Sequence, residues 1–406
     1  MAGKAALFLV VGFSLIFLTI GKNFGGLSTS AVDNLTDYYT ETVAHDIAVT
    51  GANMAANKIF FDPTWTAGYN NVNFQNGTLN VTVNVLDAFK NIRQITSTGN
   101  FNGATSTASV TLQPSKFSKF AYYSISEGGT IWWMASDTVW GPFHTQDYLR
   151  ANGKPVFWGK ATTKKSLIKA NSSSTPYFYG GFEKGVDLPL PLDGLTPMET
   201  VADAGGYKFT SKDTVYLTFA VDSIKIKYAW NGSITTVLAS SFAPNGVIFA
   251  KNSVLRLQGK VKGQYSVVAS GTSPKGKIFL DDDIVYNTDP RVDPTSEDML
   301  GIIAKNEIFI TDNAANNNNK SIDIHGSIYS ESAGFGAQNY DTRSVSGNIN
   351  LLGGIIQNTR KAVCTFSGST IDHGFAKRYR YDDRLMFSSP PAYPGTGSFE
   401  IVSWLE

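Results

Sequence analysis

From Ala5 to Gly21 the chain reads AALFLVVGFSLIFLTIG, an apolar run without a charge, bounded by Lys4 and Lys22. At about 1.5 Å per residue, a helix of that length reaches the low end of what crosses the roughly 30 Å hydrocarbon layer. The expected anchor is the helix carrying Ala5, Leu7, Phe8, Val10, Phe13, Leu15, Ile16 and Leu18. A cleaved secretory signal is the alternative, with Lys4 as its basic start and a cut after Ser28 and Ser30, before Ala31. Both readings leave Lys4 inside and translocate the bulk of the chain. Beyond this run Val32, Leu35, Tyr39, Val43, Ile47, Met54 and Ile59 recur at steps near the helical period. Ala48, Gly51, Ala52, Ala55 and Ala56 add small side chains that would let another helix approach closely. Pro63 ends the pattern. One rod from Lys4 to Phe60 would be about 85 Å long.

Past Pro63 the period changes to two, as in Leu79, Val81, Val83 and Val85 with Asn80, Thr82 and Asn84 between them. Short apolar runs punctuated by Gly, Asn, Thr and Ser continue to the C-terminus, so the body reads as mainly β. Gly246 to Leu255 (GVIFAKNSVL) is echoed by Gly301 to Phe309 (GIIAKNEIF), and similar paired runs recur at spacings that fit one turn of a solenoid. The expected architecture is a long N-terminal helix, membrane-spanning and then amphipathic, followed by a right-handed parallel β-helix-like body with an inserted β subdomain. A β-sandwich body is the alternative. The boundaries read as helix 1–62, first β region and solenoid start 63–185, inserted subdomain 186–244 opening on the proline-rich Asp187 to Pro197, rungs 245–373, and a C-terminal cap 374–406.

Composition narrows the function. With 34 basic against 33 acidic side chains the formal charge is +1, which gives no footprint for nucleic acid. The single cysteine, Cys364, can form neither an intrachain disulfide nor a thiolate zinc site, and reads as a small buried apolar residue. His45, His144, His325 and His373 are not paired at metal-ligand spacing, and neither a nucleophile elbow nor a phosphate loop occurs. Asp281, Asp282 and Asp283, with Asp289 and Asp293 nearby, are the calcium candidates, against the plainer reading of a solvated bend. Trp132, Trp133, Trp140, Phe143, Tyr148, Phe157 and Trp158 could present rings to sugar faces or pack as core.

The start Gly3, Lys4, Ala5, Ala6, Leu7, with its apolar helix running into an amphipathic one, resembles the N-terminus of type IV pilin-like proteins, particularly the pilus assembly PilX-like N-terminal family. The resemblance covers about the first 60 residues. It implies cleavage by a prepilin peptidase after Gly3, before Lys4, retention in the inner membrane, and bundling of helices with other pilin-like subunits or copies of the chain. Phe8 stands where major pilins carry an acidic residue, so the expectation is a minor pilin or pilin-like subunit. From Asn313 onward the chain also looks like uncharacterised bacterial proteins that join such an N-terminus to a β body. The expected function is that of a non-enzymatic, membrane-anchored structural protein with its body in the periplasm or on the cell surface, extracellular once in a filament. The alternative is a secreted or tethered β-helix that binds or cleaves polysaccharide, with surface glycans as partners.

Overall fold

The computed structural model describes residues 2–88, 91–129, 131–135, 137–190, 194–367 and 370–406. The chain forms two compact units, one of residues 1–114 and 398–406, the other of 115–397. The larger unit is therefore inserted in the sequence between two elements of the smaller.

The first unit is helix α1 (Ala2–Phe61) and an antiparallel meander of β1 (Tyr69–Phe74), β2 (Gly77–Asp87), β3 (Ile92–Phe101) and β4 (Ala104–Lys116), to whose last strand the C-terminal strand Gly395–Leu405 is hydrogen-bonded. Two of the hairpins close through two-residue turns. Phe74 pairs with Gly77 across Gln75 and Asn76, and Phe101 with Ala104 across Asn102 and Gly103; all four turn residues have positive φ. Such turns match the twist of the strands they join. Alternation in β3 puts Ile95, Ser97 and Phe101 inside. With Leu79, Val81, Ala108, Val110 and Leu112 they meet Ala44, Ile47, Ala48, Ala52, Ala55 and Ile59 of α1. The helix lies very close to the sheet here. A Cβ at Gly99 would stand 2.3 Å from the Ala44 carbonyl oxygen and 2.6 Å from the Ala48 nitrogen, and one at Gly51 would stand 2.2 Å from Leu79 Cδ1.

The second unit is built of parallel ladders. The first ladder runs through Tyr207–Phe209, Val247–Ala250, Gln264–Ala269, Met299–Ala304, Ile322–Ser330, Val345–Thr359, Tyr122–Ser126, Phe143–Thr145, Ala161–Thr163 and Phe182–Lys184, all parallel. Ile248, Val267, Ile302, Ile328, Ile355, Tyr122, Phe143 and Ala161 stand in register along it and belong to one buried core. A second ladder joins Thr214–Val221, Val254–Val261, Lys277–Tyr286, Ile308–Ile310 and Phe335–Ala337. A third links the later part of Lys277–Tyr286 to Ile322–Ser330, Val345–Thr359, Thr370–Arg380, Thr138–Trp140, Val156–Phe157 and Tyr177–Phe178. The chain visits these ladders in turn. The echoed Ala-Lys-Asn segments are corners between the first and second; Asn252 there has φ +50, and Asn306 Nδ2 donates to the carbonyls of Gly271 and Lys275.

Three expected boundaries change. The ladders are not stacked in sequence order, because Ile355 pairs with Tyr122. Strands from 122 to 184 follow those from 207 to 380, so the region 63–185 splits into an antiparallel part and the far end of the parallel ladders. The region 186–244 is not a separate subdomain, since Tyr207–Phe209 and Thr214–Val221 begin two ladders and only the hairpin Ser223–Lys227/Thr235–Leu238 and the helices Thr196–Asp203 and Ala239–Phe242 lie outside them. The segment 374–406 is divided between a ladder strand and the first unit's sheet. On either side of residues 191–193 of the proline-rich segment, which lie outside the described ones, the chain covers the first ladder. Leu188, Leu190, Leu195 and Met198 pack on Val247, Phe249, Val268, Ile303, Tyr329 and Ile356, which alternate with the interior residues of the first ladder, and the Leu188 carbonyl accepts the Tyr123 hydroxyl. That cover makes the ladder apolar on both faces, as in Val247–Ala250 and Met299–Ala304, where every residue is buried.

Candidate functional site: the uncovered half of the helix

Helix α1 changes environment along its length. From Ala44 to Ile59 its buried positions recur at helical spacing and are sealed by the sheet; from Gly3 to Tyr39 nearly every described side chain is exposed. Phe8 is 76% exposed, Phe17 and Leu18 are 70%, and Phe24 and Leu27 are 68%. An apolar face this large costs heavily in water, at about 25 cal/mol per Å². The helix is long and apolar enough to cross a membrane, its most apolar stretch having a mean hydropathy of 2.1 with none of it buried. On this half the threonine hydroxyls are satisfied locally. Thr19 Oγ1 donates to the carbonyls of Leu15 and Ile16, Thr29 to that of Gly25 and Thr36 to that of Val32. Local satisfaction is what a helix in hydrocarbon or among other helices requires.

The expected helix-packing stripe divides. Val32, Leu35 and Tyr39 are exposed, with Tyr39 making an edge contact of 5.9 Å to Phe101; Val43 and Met54 are half-buried; Ile47 and Ile59 are fully buried. For the lower residues and for Ala48, Gly51, Ala52 and Ala55 the close partner is therefore the chain's own sheet, not a neighbouring helix. The anchor residues from Leu7 to Leu18, and Gly3 and Lys4 at the proposed cut, all lie on the uncovered half.

The acidic cluster does not converge. Asp281 Oδ1 accepts from Arg256 Nη2 at 2.5 Å and Thr311 Oγ1 at 2.6 Å, and its Oδ2 accepts from Arg256 Nε at 2.9 Å. Asp282 caps the Asp283 amide, and Asp283 accepts the Asp323 amide across to the next strand. Asp289 is held to about 2 chiefly by its hydrogen bonds with Arg291. The ladder register shifts at these residues, Asp281 being buried on Arg256 and Asp282 and Asp283 exposed, and no group of three metal-ligating side chains forms among the described residues, so the calcium reading is withdrawn. The four asparagines Asn316 to Asn319 form a loop in which Asn316 Nδ2 donates to the carbonyls of Leu280, Asp281 and Thr311.

The aromatic run divides too. Trp133, Phe143 and Phe157 are core, while Trp140 and Trp158 are exposed. Trp158 stacks on Tyr179 at 4.4 Å, so the two rings cover each other's faces, not a sugar's. Cys364 is half-buried against the core, and burial raises its thiol pKa.

One polar cluster had no signature in the sequence. Where the strands of 345–380 meet those of 122–140, Glu127 is fully buried; its Oε1 accepts from Tyr122 Oη and Ser124 Oγ, both at 2.6 Å, and its Oε2 from Trp133 Nε1 at 3.0 Å and Arg360 Nη1 at 2.9 Å. Lys377 Nζ donates to Asp137 Oδ2 at 2.8 Å beside it. Arg360 also lies 4.1 Å over the Trp133 ring. Each pair joins an acid of the earlier segment to a base of the later one across the seam. Burial, and next the Glu127 carboxylate, hold the Tyr122 hydroxyl protonated, as a donor.

No family model and no curated protein matches the chain. Among solved structures it is similar to the competence-associated pilin ComZ from Thermus thermophilus, at 11% identity and a TM-score of 0.35, over 90% of this chain and 97% of that one.

Proposed function

We propose that the chain is a membrane-anchored, pilin-like structural subunit, a minor pilin or pseudopilin-like component, that displays its β body beyond the inner membrane. The observation that carries the reading is the division of α1 into a half sealed by its own sheet and a half with no cover at all. A soluble enzyme gains nothing from some thirty-five residues of bare helix, whereas a subunit held first in lipid and then among other helices needs that surface. In this reading Lys4 stays on the cytoplasmic side, Gly3 precedes the cut, and Val32, Leu35 and Tyr39 meet neighbouring subunits. The ladders of the second unit close into a parallel β-helix, right-handed in keeping with the handedness of parallel crossovers. The body presents a surface; it carries out no reaction.

The test is the mature N-terminus, read by mass spectrometry on protein from the membrane fraction and from material sheared off cells. A start at Lys4, present in sheared material, is the expected result. A start near Ala31 would mean a removed signal peptide and would overturn the reading.

A further inference from the structure

The outer face of the second ladder holds a pocket of about 290 Å³. Its floor is a three-strand patch in which Thr214–Val221 sits between Val254–Val261, parallel, and Ser223–Lys227, antiparallel. The register fixes two rows across that patch. Lys227, Tyr216 and Arg256 stand side by side in one, and Lys225, Thr218 and Gln258 in the other. The turn that follows Lys227 raises Trp230 and Ile234 as a wall, 67% and 61% exposed. Lys227 ties the wall to the floor: its Nζ donates to the Trp230 carbonyl at 2.7 Å and lies 4.9 Å from the Trp230 ring and 5.0 Å from that of Tyr216.

The charges are unbalanced. Lys225, Lys227 and Arg256 line the pocket with one acid, Asp281, and that carboxylate is taken up by Arg256 in a two-point pair. What is offered to a ligand is two ammonium groups, an indole face at the rim, a phenol, and the hydroxyl and amide of Thr218 and Gln258. A saccharide unit with a carboxylate matches each part: its C–H face on the ring, its acid on the lysines, its hydroxyls on the floor. The row continues beyond the pocket through the half-buried Phe279 and Phe309, in register with Arg256, a strip along which the next units of a polymer would lie. A polyphosphate backbone is a poorer match, since the chain as a whole has a formal charge of only +1.

We infer that the pocket of Tyr216, Thr218, Lys225, Lys227, Trp230 and Gln258 binds an acidic glycan, holding a carboxylate-bearing sugar of a longer chain. The inference is independent of how the N-terminus is processed.

The test is calorimetric titration of the full chain in detergent micelles with hexamers of galacturonic acid and of mannuronic acid, and with cellohexaose as the neutral control. At least one acidic hexamer should bind, and the neutral one should bind about ten-fold more weakly or worse. Trp230→Ala and the pair Lys225→Gln/Lys227→Gln should each weaken acid binding by about ten-fold, and raising ionic strength from about 0.05 to about 0.5 M should weaken the wild type but barely affect the double variant. Trp230 is mostly exposed, so its removal leaves the fold intact, which circular dichroism checks. No binding of either acidic hexamer, equal binding by cellohexaose, or undiminished binding by Trp230→Ala would each overturn the assignment.

Discussion

The seam between residues 122–140 and 345–380 makes a quantitative demand. Glu127 and Arg360 are both buried, and Arg360 Nη2 already lacks a hydrogen-bond partner among the described residues. Glu127→Leu strands the guanidinium and takes the acceptor from both the Trp133 indole N–H and the Tyr122 O–H, which keeps only the bond it accepts from Gln357, whereas Ser124 Oγ keeps its contact with Thr145. Breaking a buried pair costs about 3–5 kcal/mol and an orphaned buried donor about 1 more. Arg360→Met leaves a bare carboxylate and should cost a similar amount. Replacing both removes the charges together, a change that is often neutral or stabilising in itself, so Glu127→Leu/Arg360→Met should lose only the about 1–2 kcal/mol of the donors left without Glu127. The expected coupling is therefore well above 2 kcal/mol, of a kind that distant sites never show. Cys364 is the only thiol in the chain and packs against this core, so pulsed alkylation across a urea gradient reports the unfolding of the seam itself. If the two single losses simply add in the double variant, or if either single loss stays under about 1 kcal/mol, the seam is not held by this pair.

Three further outcomes follow from the geometry. Gly99→Val sets a side chain into the Ala44 carbonyl and Ala48 nitrogen of α1, so it should destabilise the first unit by about 3 kcal/mol or more, seen as protease cleavage within β1–β4, and wild-type resistance would refute the close approach. Phe17→Asp should remove protein from the membrane fraction while leaving the β body folded, at a cost of about 3 kcal/mol for insertion, whereas Ile47→Asp should unfold the first unit; the same phenotype from both would contradict the division of the helix. His144, whose Nδ1 meets Thr162 Oγ1 at 2.7 Å, has its pKa lowered to about 4 by burial. Its unfolded form takes up protons first, so its contribution is full above pH 6.5 and fades as pH falls toward 4, by about 3 kcal/mol, and urea titrations of His144→Gln should lack this slope.

The local elements were legible and the long-range ones were not. The uncharged run and the helical stripe follow from composition and period, and the structure carries both on the one helix α1. A stripe declares that a face is covered without saying by what, which is why Ile47 and Ile59 read as helix-to-helix contacts and are sheet contacts. The order of strands in the ladders was hidden for a related reason: Ile248, Val267, Ile302, Ile328 and Ile355 are nearly interchangeable, so nothing local tells Ile355 to pair with Tyr122. Glu127 and Arg360 carry that information, yet they are 233 positions apart and look like surface charges in the sequence. The pocket was half visible. Alternation along Thr214–Val221 and Ser223–Lys227 separates Tyr216, Thr218, Lys225 and Lys227 from the buried set, but only the pairing brings Arg256 and Gln258 beside them.

The strand Gly395–Leu405 has a consequence for how the molecule is made. It completes the sheet of the first unit, and Gln113 Nε2 reaches Glu400 Oε1 across 287 positions of chain. During synthesis the helix and four strands emerge early, yet the edge of β4 stays open until the inserted unit, residues 115–397, has followed. The inserted unit must fold in the interval without capturing that edge, which is a template for stray pairing. Loop closure over such a span adds only a few kcal/mol, because its cost grows with the logarithm of length, and a prefolded insert shortens the span further. Completion of the sheet thus reports that the entire β body has been translated, and chains that stop short would keep an exposed strand edge by which a quality-control protease could tell them apart.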